Sequence, residues 1–169
     1  MGDSMPKISK NDLEELREAA YEKSLDKSRI CTHVSIEDSL HEMFIYHSAN
    51  AYVRPHKHHG KGESFFLLEG EVDAVFFDDS GVIVDVIEMG GDNNTMYYRL
   101  RASLYHTILI KSDYIFFYEA TGGPFRREDT SFAPWSPDEN EIVKVEQYRL
   151  SLIKQTRAYL QTKESEVER

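Results

Sequence analysis

The feature that most restricts the fold of this chain is a succession of short segments rich in Val, Ile, Phe and Tyr. Segments of this composition and length predict β-strands. Turn-forming residues separate them, and two of the turns carry a glycine where a positive φ is expected. Many short strands at this spacing predict an antiparallel sandwich or barrel. The predicted strands cover residues 43–46, 51–53, 63–68, 72–77, 82–88, 95–100, 105–110 and 114–120.

A helix is predicted at each end of the strand-rich region. Asn11 or Asp12 can cap the first, over residues 12–27, because short polar side chains and early acidic residues favour a helix start. Ser136 or Asp138 can cap the second, over residues 138–163. We expect each helix to pack on the barrel or on a second subunit through an apolar stripe. The stripes are Leu13, Leu16, Ala20 and Leu25, and Ile142, Val145, Leu152, Ile153, Tyr159 and Leu160.

Length and charge narrow the class of protein. A chain of 169 residues is typical of one domain with a proper core. We divide it into a leader and helix (1–28), a β-barrel (29–137) and a C-terminal helical extension (138–169). The formal net charge of −10 disfavours nucleic acid and membrane surfaces as partners.

Targeting signals and cysteine usage indicate a cytoplasmic protein. No apolar run approaches the roughly 20 residues that span a bilayer. The first seven residues lack the hydrophobic core of a secretory signal. Cys31 is the single cysteine, so an internal disulfide is excluded.

Residues 52–70 contain the pattern with the most chemical content. His56 and His58 are two residues apart, and on an extended strand their side chains share one face. A glycine-containing loop follows, and Glu63 opens the next apolar strand. Two imidazoles and a carboxylate bind first-row divalent metals while leaving coordination positions open. The alternative is a solvated polar loop.

His106 lies in a later strand-like run, on a face that it shares with Leu104 and Ile108. An imidazole on an apolar face is either a buried histidine bonded to a carbonyl or a metal ligand delivered across the barrel. The spacing of the earlier histidines and Glu63 favours the ligand.

These residues resemble the cupin superfamily. Its first motif is His-x-His, four residues, Glu, six residues, Gly, and His56, His58, Glu63 and Gly70 fit it without a gap. Its second motif is matched at 101–106, where the histidine is kept but the Pro, the Gly and the later Asn are not. The resemblance implies a jelly-roll (double-stranded β-helix) barrel, one metal and a homodimer.

A finer resemblance is to the WbuC-type cupin-fold metalloproteins, over roughly residues 29–140. It rests on segments in the order of that family, of which the Phe-Ala-Pro-Trp stretch is the most specific. Members are associated with bacterial surface-polysaccharide genes, so the resemblance implies a role in polysaccharide biosynthesis. The matching segments are 52–58, 77–81, 105–107, Glu119 with 123–125, and 132–137.

The sequence thus predicts one divalent metal bound by His56, His58, Glu63 and His106. Iron, zinc, nickel, manganese and cobalt all suit these ligands, and affinity order does not choose among them. A small-molecule pocket is expected beside the metal. Its candidate residues are Tyr52, Arg54, Phe65, Tyr98, Tyr118, Glu119 and Trp135.

Several side chains keep two interpretations. Arg54 can pair with an anionic ligand or with a structural acid. Trp135 can cover the barrel mouth or plug the edge of the core. His33 and His41 lack ligand spacing to the metal group, and a pocket-lining role for His33 stays open.

Three functions remain compatible with these patterns. The first is Lewis-acid isomerisation or epimerisation of a carbohydrate-like molecule. The second is a dioxygenase that uses Fe(II), and the third is a non-enzymatic cupin that binds a metal or a sugar and regulates a pathway. A purely structural metal is less compatible, because structural sites are usually closed by their protein ligands. No catalytic acid or base is assigned from the sequence.

Overall fold

The computed structural model describes residues 5–101 and 103–167. Residues 1–4 of the expected leader and Ala102 of the second-motif turn therefore lie outside the described residues. The elements are helix α1 (Lys10–Glu22), strands β1 (Lys27–Cys31), β2 (Leu40–Ser48), β3 (His56–His58), β4 (Glu63–Glu69), β5 (Glu71–Phe77), β6 (Ile83–Gly90), β7 (Tyr97–Leu100), β8 (Tyr105–Ile110) and β9 (Tyr114–Gly122), a 3₁₀ turn (Arg127–Asp129), strand β10 (Thr130–Phe132) and helix α2 (Ile142–Val167).

The strands form two five-stranded sheets in which every pair is antiparallel. One sheet has the order β1-β2-β9-β4-β7 and the other β10-β3-β8-β5-β6. Their inner faces enclose one core, whose most deeply buried members include Phe65, Val72, Met89 and Ile115. The expected fold, mainly β with a helix at each end, is confirmed. No helix within the described ranges is long and apolar enough to span a membrane.

The strand predictions were wrong for one segment beside a turn and for two polar edge strands. The segment 51–53 is not a strand, because the chain turns there and the Ala51 N–H donates to the Ser48 carbonyl. The polar edge strands β1 and β10 were not predicted at all. They are short and carry few apolar residues, so pairing with a neighbouring strand defines them rather than local composition.

Helix α1 starts earlier than predicted and ends earlier. Its cap is Ser9, whose hydroxyl accepts from the Asp12 N–H at 3.3 Å while the Asp12 carboxylate accepts from the Ser9 N–H at 2.6 Å. This is a capping box, so Asp12 is its distal member and not the cap. Ser24 adopts a φ of 51°, and Leu25 lies beyond the helix instead of in its stripe.

Helix α2 begins at Ile142, four residues later than expected, because Asp138 and Asn140 form a separate turn. Leu152 is buried against the outer face of the second sheet, beside Phe77 and Leu109. Ile142 is 76% exposed and does not belong to the buried stripe.

The glycine of the cupin motif is required by the turn between β4 and β5. Gly70 has a φ of 91°, a left-handed conformation that side chains rarely adopt. A Cβ there would overlap the backbone oxygen of Tyr114 and lie 2.6 Å from the hydroxyl of Ser112. The turn fixes how β5 leaves the sheet that carries Glu63.

Candidate metal centre and ligand cavity

The four predicted ligands come together inside the barrel. His56 and His58 lie on β3, Glu63 opens β4, and His106 on β8 is the direct register partner of His56. Their ligand atoms all lie within 4.8 Å of one another. The Glu63 carboxylate oxygen is 3.0 Å from His58 Nε2 and 3.5 Å from His106 Nε2. This spread is close to that of donors around one first-row ion, which sit about 2.0–2.2 Å from it. The group is called the metal cluster below.

Each histidine of the metal cluster is oriented through its Nδ1 atom. His56 Nδ1 lies 2.9 Å from the Arg54 carbonyl, and His106 Nδ1 lies 3.1 Å from the Leu104 carbonyl. A carbonyl only accepts, so Nδ1 carries the proton and Nε2 presents its lone pair to the centre. His58 Nδ1 is held 3.0 Å from the Thr130 hydroxyl.

The protein alone satisfies His106 Nε2 poorly. This buried atom has no well-formed hydrogen bond among the described residues, and its contact with the Glu63 carboxylate, at 3.5 Å, lies at the limit of hydrogen-bond distance. A buried polar atom without a good partner costs stability. A metal ion would satisfy it together with the other three donors, so the residues fit a bound divalent metal.

The protonation states of Glu63 and His56 favour the binding of a cation. Burial alone would raise the pKa of Glu63, but its close contacts with His106 and His58 hold that pKa well below its usual range. Burial, helped by the charge of His106, lowers the pKa of His56 to about 4. The carboxylate is therefore ionised and His56 neutral near neutral pH, which are the states that ligate metals.

The pKa of His106 shifts in the opposite direction to that of His56. Burial opposes its protonation, but the contact with Glu63 outweighs burial and raises the pKa of His106. A metal ion therefore competes with a proton for the Nε2 atom of this imidazole.

A cavity of about 320 Å³ adjoins the metal cluster and is walled largely by apolar side chains. Three of the predicted pocket residues, Phe65, Tyr98 and Glu119, line it together with His56, Glu63 and His106. Phe65 stacks on Tyr98 and on Phe117, with ring centroids 5.2 and 4.5 Å apart. The chamber is called the inner cavity.

Glu119 is a carboxyl group of the inner cavity that does not belong to the metal cluster. It pairs in register with Phe65 on β4 and with Met43 on β2. Burial raises its pKa well above the usual range, and the nearby charge of Glu63 adds to the effect. Glu119 therefore holds a proton under conditions in which Glu63 is ionised.

Two predicted pocket residues lie elsewhere because residues 51–55 do not form a strand. The Tyr52 hydroxyl donates to the Pro137 carbonyl at 3.1 Å. Arg54 pairs with Asp138 at 2.9 Å and donates to the Ser136 hydroxyl at 3.2 Å. Strand alternation had placed both residues on the same face as His56. Of the two interpretations of Arg54, the structure favours pairing with a structural acid.

The two remaining candidates lie outside the inner cavity as well. Strand alternation turns Tyr118 away from the face of Glu119, and its hydroxyl bonds the Glu42 carboxylate. Trp135 packs on Phe77 and Tyr105 at the outer face of the second sheet, with centroids 5.0 and 5.7 Å away. Of its two interpretations, the structure favours the packing plug.

Sequence reasoning missed the polar residues that β1 and β2 contribute to the inner cavity. They are Lys27, Ser28, Arg29 and His47. Alternation along β2 was the available signal, since Met43, Ile45 and His47 share one face and all line the cavity. Burial, with Lys27 nearby, lowers the pKa of His47 to about 3.

A second chamber of about 270 Å³, the outer cavity, shares Arg29, Met43 and Glu119 with the inner one. His33 and His41 line it with their rings stacked 4.2 Å apart. The pocket-lining interpretation of His33 agrees with this position, and neither histidine belongs to the metal cluster.

Comparison with protein families gives one match. A family model described as a domain of unknown function (DUF6016) matches residues 8–89. This region includes His56, His58 and Glu63 but ends before His106. No protein of curated function matches the sequence.

Solved structures share the fold at low sequence identity. A variant of salicylate 1,2-dioxygenase from Pseudoaminobacter salicylatoxidans has a TM-score of 0.56 and 10% identity, over 76% of this chain and 39% of that chain. A protein from Shewanella oneidensis has a TM-score of 0.53 and 8% identity, over 72% of this chain and 81% of that one. A cupin superfamily protein from Desulfitobacterium hafniense has a TM-score of 0.44 and 14% identity, over 57% and 76%.

With the two-sheet topology, the first two likenesses show that the chain shares the fold of those proteins, the antiparallel two-sheet barrel that the sequence predicted. At such identities they show the fold alone, and the chain spans well under half the length of the dioxygenase. The WbuC-type resemblance stays a prediction, because the matching family model carries another description.

Proposed function

We propose that this chain is a cupin metalloprotein that binds one divalent first-row metal and takes a small oxygen-bearing molecule into the inner cavity. The ligands are His56, His58, Glu63 and His106. The observation that carries the proposal is the convergence of three oriented imidazoles and one ionised carboxylate beside a chamber of about 320 Å³. Four protein ligands on a six-coordinate ion leave about two positions for a ligand.

A bound metal supplies Lewis-acid polarisation of ligand hydroxyl and carbonyl oxygens. The chain supplies the surroundings. Phe65, Tyr98 and Phe117 keep the inner cavity apolar and limit water beside the metal cluster. Glu119 lies in the same chamber without being a ligand, so its carboxyl group can give or take a proton at the bound molecule. These roles support isomerisation or epimerisation next to a carbonyl.

A carbohydrate-like ligand is the finer part of the proposal. It is supported by the WbuC-type resemblance and its association with surface polysaccharides. The homodimer belongs to the proposal on the same resemblance. A cytoplasmic location agrees with the exposed free thiol of Cys31, since reducing compartments keep thiols unpaired.

Deuterium exchange tests turnover. Metal-loaded protein is incubated with a panel of small aldoses and ketoses in D₂O, and carbon-bound deuterium is followed by NMR. We expect incorporation that is lost on chelation and strongly reduced in Glu119→Gln, which keeps the shape but cannot shuttle a proton.

Other results would redirect the proposal. Incorporation that survives complete metal removal would contradict metal-assisted chemistry. Metal-dependent sugar binding without exchange would support the non-enzymatic cupin. Oxygen consumption by an iron-loaded sample would support the dioxygenase.

A further inference from the structure

Arg29 occupies an unusual electrostatic position. It lies on the edge strand β1, and its side chain lines both the inner and the outer cavity. Its guanidinium Nη1 reaches the Met43 sulfur at 3.7 Å. No carboxylate within the described ranges lies at ion-pair distance from it, although its charge acts on Glu119, which faces the same two cavities.

The other cations of the two cavity walls are neutralised by acids. Their partners are fixed at short distance: Lys27 with Glu139 at 3.0 Å, Lys61 with Asp129 at 2.6 Å, and Arg126 with Glu37 at 2.8 Å. Arg29 is thus the one cation of these walls, in the part of the chain that the structure describes, without a carboxylate at ion-pair distance. In a protein with a formal charge of −10, such a local cation is the feature that can attract an anion.

The position of Arg29 suits an anion that enters from solvent. Arg29 is exposed on the edge strand β1, so its charge is open to a molecule approaching the two cavities. The guanidinium fork matches carboxylate and phosphate groups with two parallel hydrogen bonds. The inner cavity, which Arg29 lines together with members of the metal cluster, is also lined by Ile45, Phe117 and Phe65. This apolar wall fits the apolar part of a bound organic anion.

We propose that Arg29 binds the anionic group, a carboxylate or a phosphate, of the small molecule that reaches the metal cluster through its oxygens. The inference rests on the proposed function and narrows its substrate class to organic anions. For Arg54 the sequence had left this role open beside that of a structural partner, and the structure pairs Arg54 with Asp138.

Calorimetric titration tests the assignment with three probes of one shape. Benzoate and phenyl phosphate carry the two anionic groups, and benzamide is the neutral counterpart. Metal-loaded parent protein is compared with Arg29→Gln, Arg29→Lys and a control, Arg157→Gln. Arg157 is exposed on α2 and lines neither cavity, so the control makes the same charge change elsewhere.

We expect the parent to bind at least one of the two anions more tightly than benzamide. Arg29→Gln should weaken that binding about 10- to 100-fold, the range for hydrogen bonds to charged groups. Arg29→Lys should fall between, because it keeps the charge and loses the fork. Arg157→Gln should match the parent. The tighter anion shows whether the site prefers carboxylate or phosphate.

The proposal is overturned if neither anion binds the parent, if benzamide binds as tightly as both, or if a folded Arg29→Gln binds like the parent. Metal content measured on the same samples separates this failure from that of the proposed function. If the protein takes up no metal but still binds an anion through Arg29, only the proposed metal centre is contradicted. If the metal-loaded protein binds the anions equally well without Arg29, only the proposed anion site is contradicted.

Discussion

Removing one hydroxyl at Thr130 tests how the histidines of the metal cluster are oriented. Backbone carbonyls hold the Nδ1 atoms of His56 and His106, and substitution cannot delete them. The Nδ1 atom of His58 is held 3.0 Å from the Thr130 hydroxyl, on the neighbouring strand β10. Thr130→Val replaces that hydroxyl with a methyl group of similar shape, so the orienting bond is lost with little change in packing.

The expected loss follows from the role of this bond. Partners that orient a ligating imidazole typically contribute 10- to 100-fold to metal affinity. We therefore expect Thr130→Val to weaken metal binding by about 10- to 100-fold, or roughly 1.4–2.7 kcal/mol. Competition against a chelating dye at fixed pH measures the affinity, and circular dichroism verifies the fold.

The next residue provides a matched control. Ser131 holds His59 in the same way, with its hydroxyl 2.8 Å from His59 Nε2, and His59 lies outside the metal cluster. Ser131→Ala should leave metal affinity at the parent value. Unchanged affinity in Thr130→Val would refute the reasoning, because the bond would then not set which nitrogen of His58 faces the metal. An equal loss in both variants would point to distortion of β10.

Two further predictions concern stability. Gly70→Ala should lower the free energy of unfolding by more than about 2 kcal/mol, since it combines a positive φ with steric overlap. Gly60→Ala is the control: Gly60 has a φ of 69° and nothing lies within 4 Å of an added Cβ, so this change should cost only about 1 kcal/mol. If urea unfolding gives the two variants equal losses of stability, the role of Gly70 is contradicted. The pKa of His47 is about 3 in the folded protein, against an ordinary value of 6.5. Between these two pH values the unfolded chain binds a proton that the folded chain excludes, so the free energy of unfolding decreases as the pH falls. His47→Leu should make thermal stability less dependent on pH in that window, and an unchanged slope would count against this account.

The metal cluster was predictable because the geometry of three of its four ligands is local in the sequence. His56 and His58 need only an extended backbone to share a face, and the 3-residue strand β3 provides it. Glu63 follows after one loop, and Gly70 marks the turn that ends its strand. Only His106 required a long-range pairing, and its position on an otherwise apolar face signalled an inward direction.

The remainder of the inner cavity was not predictable from local patterns. Tyr52 and Arg54 were misplaced because alternation was extended through residues 51–55, which do not form a strand. Arg29 was missed because β1 has little apolar character and is defined by its pairing with β2. Its importance depends on ion pairs that the other cations make with sequence-distant acids, such as Lys61 with Asp129. Such pairings are known only once the chain is folded.

The central claim is that one divalent metal is held by His56, His58, Glu63 and His106. Its most direct test is metal content by mass spectrometry on protein purified without a histidine tag, beside His56→Ala, His106→Ala and the control His59→Ala. We predict about one equivalent in the parent and in His59→Ala, and loss from the other two variants while circular dichroism shows the fold retained. A parent protein that contains no metal and takes up none when it is supplied would contradict the account.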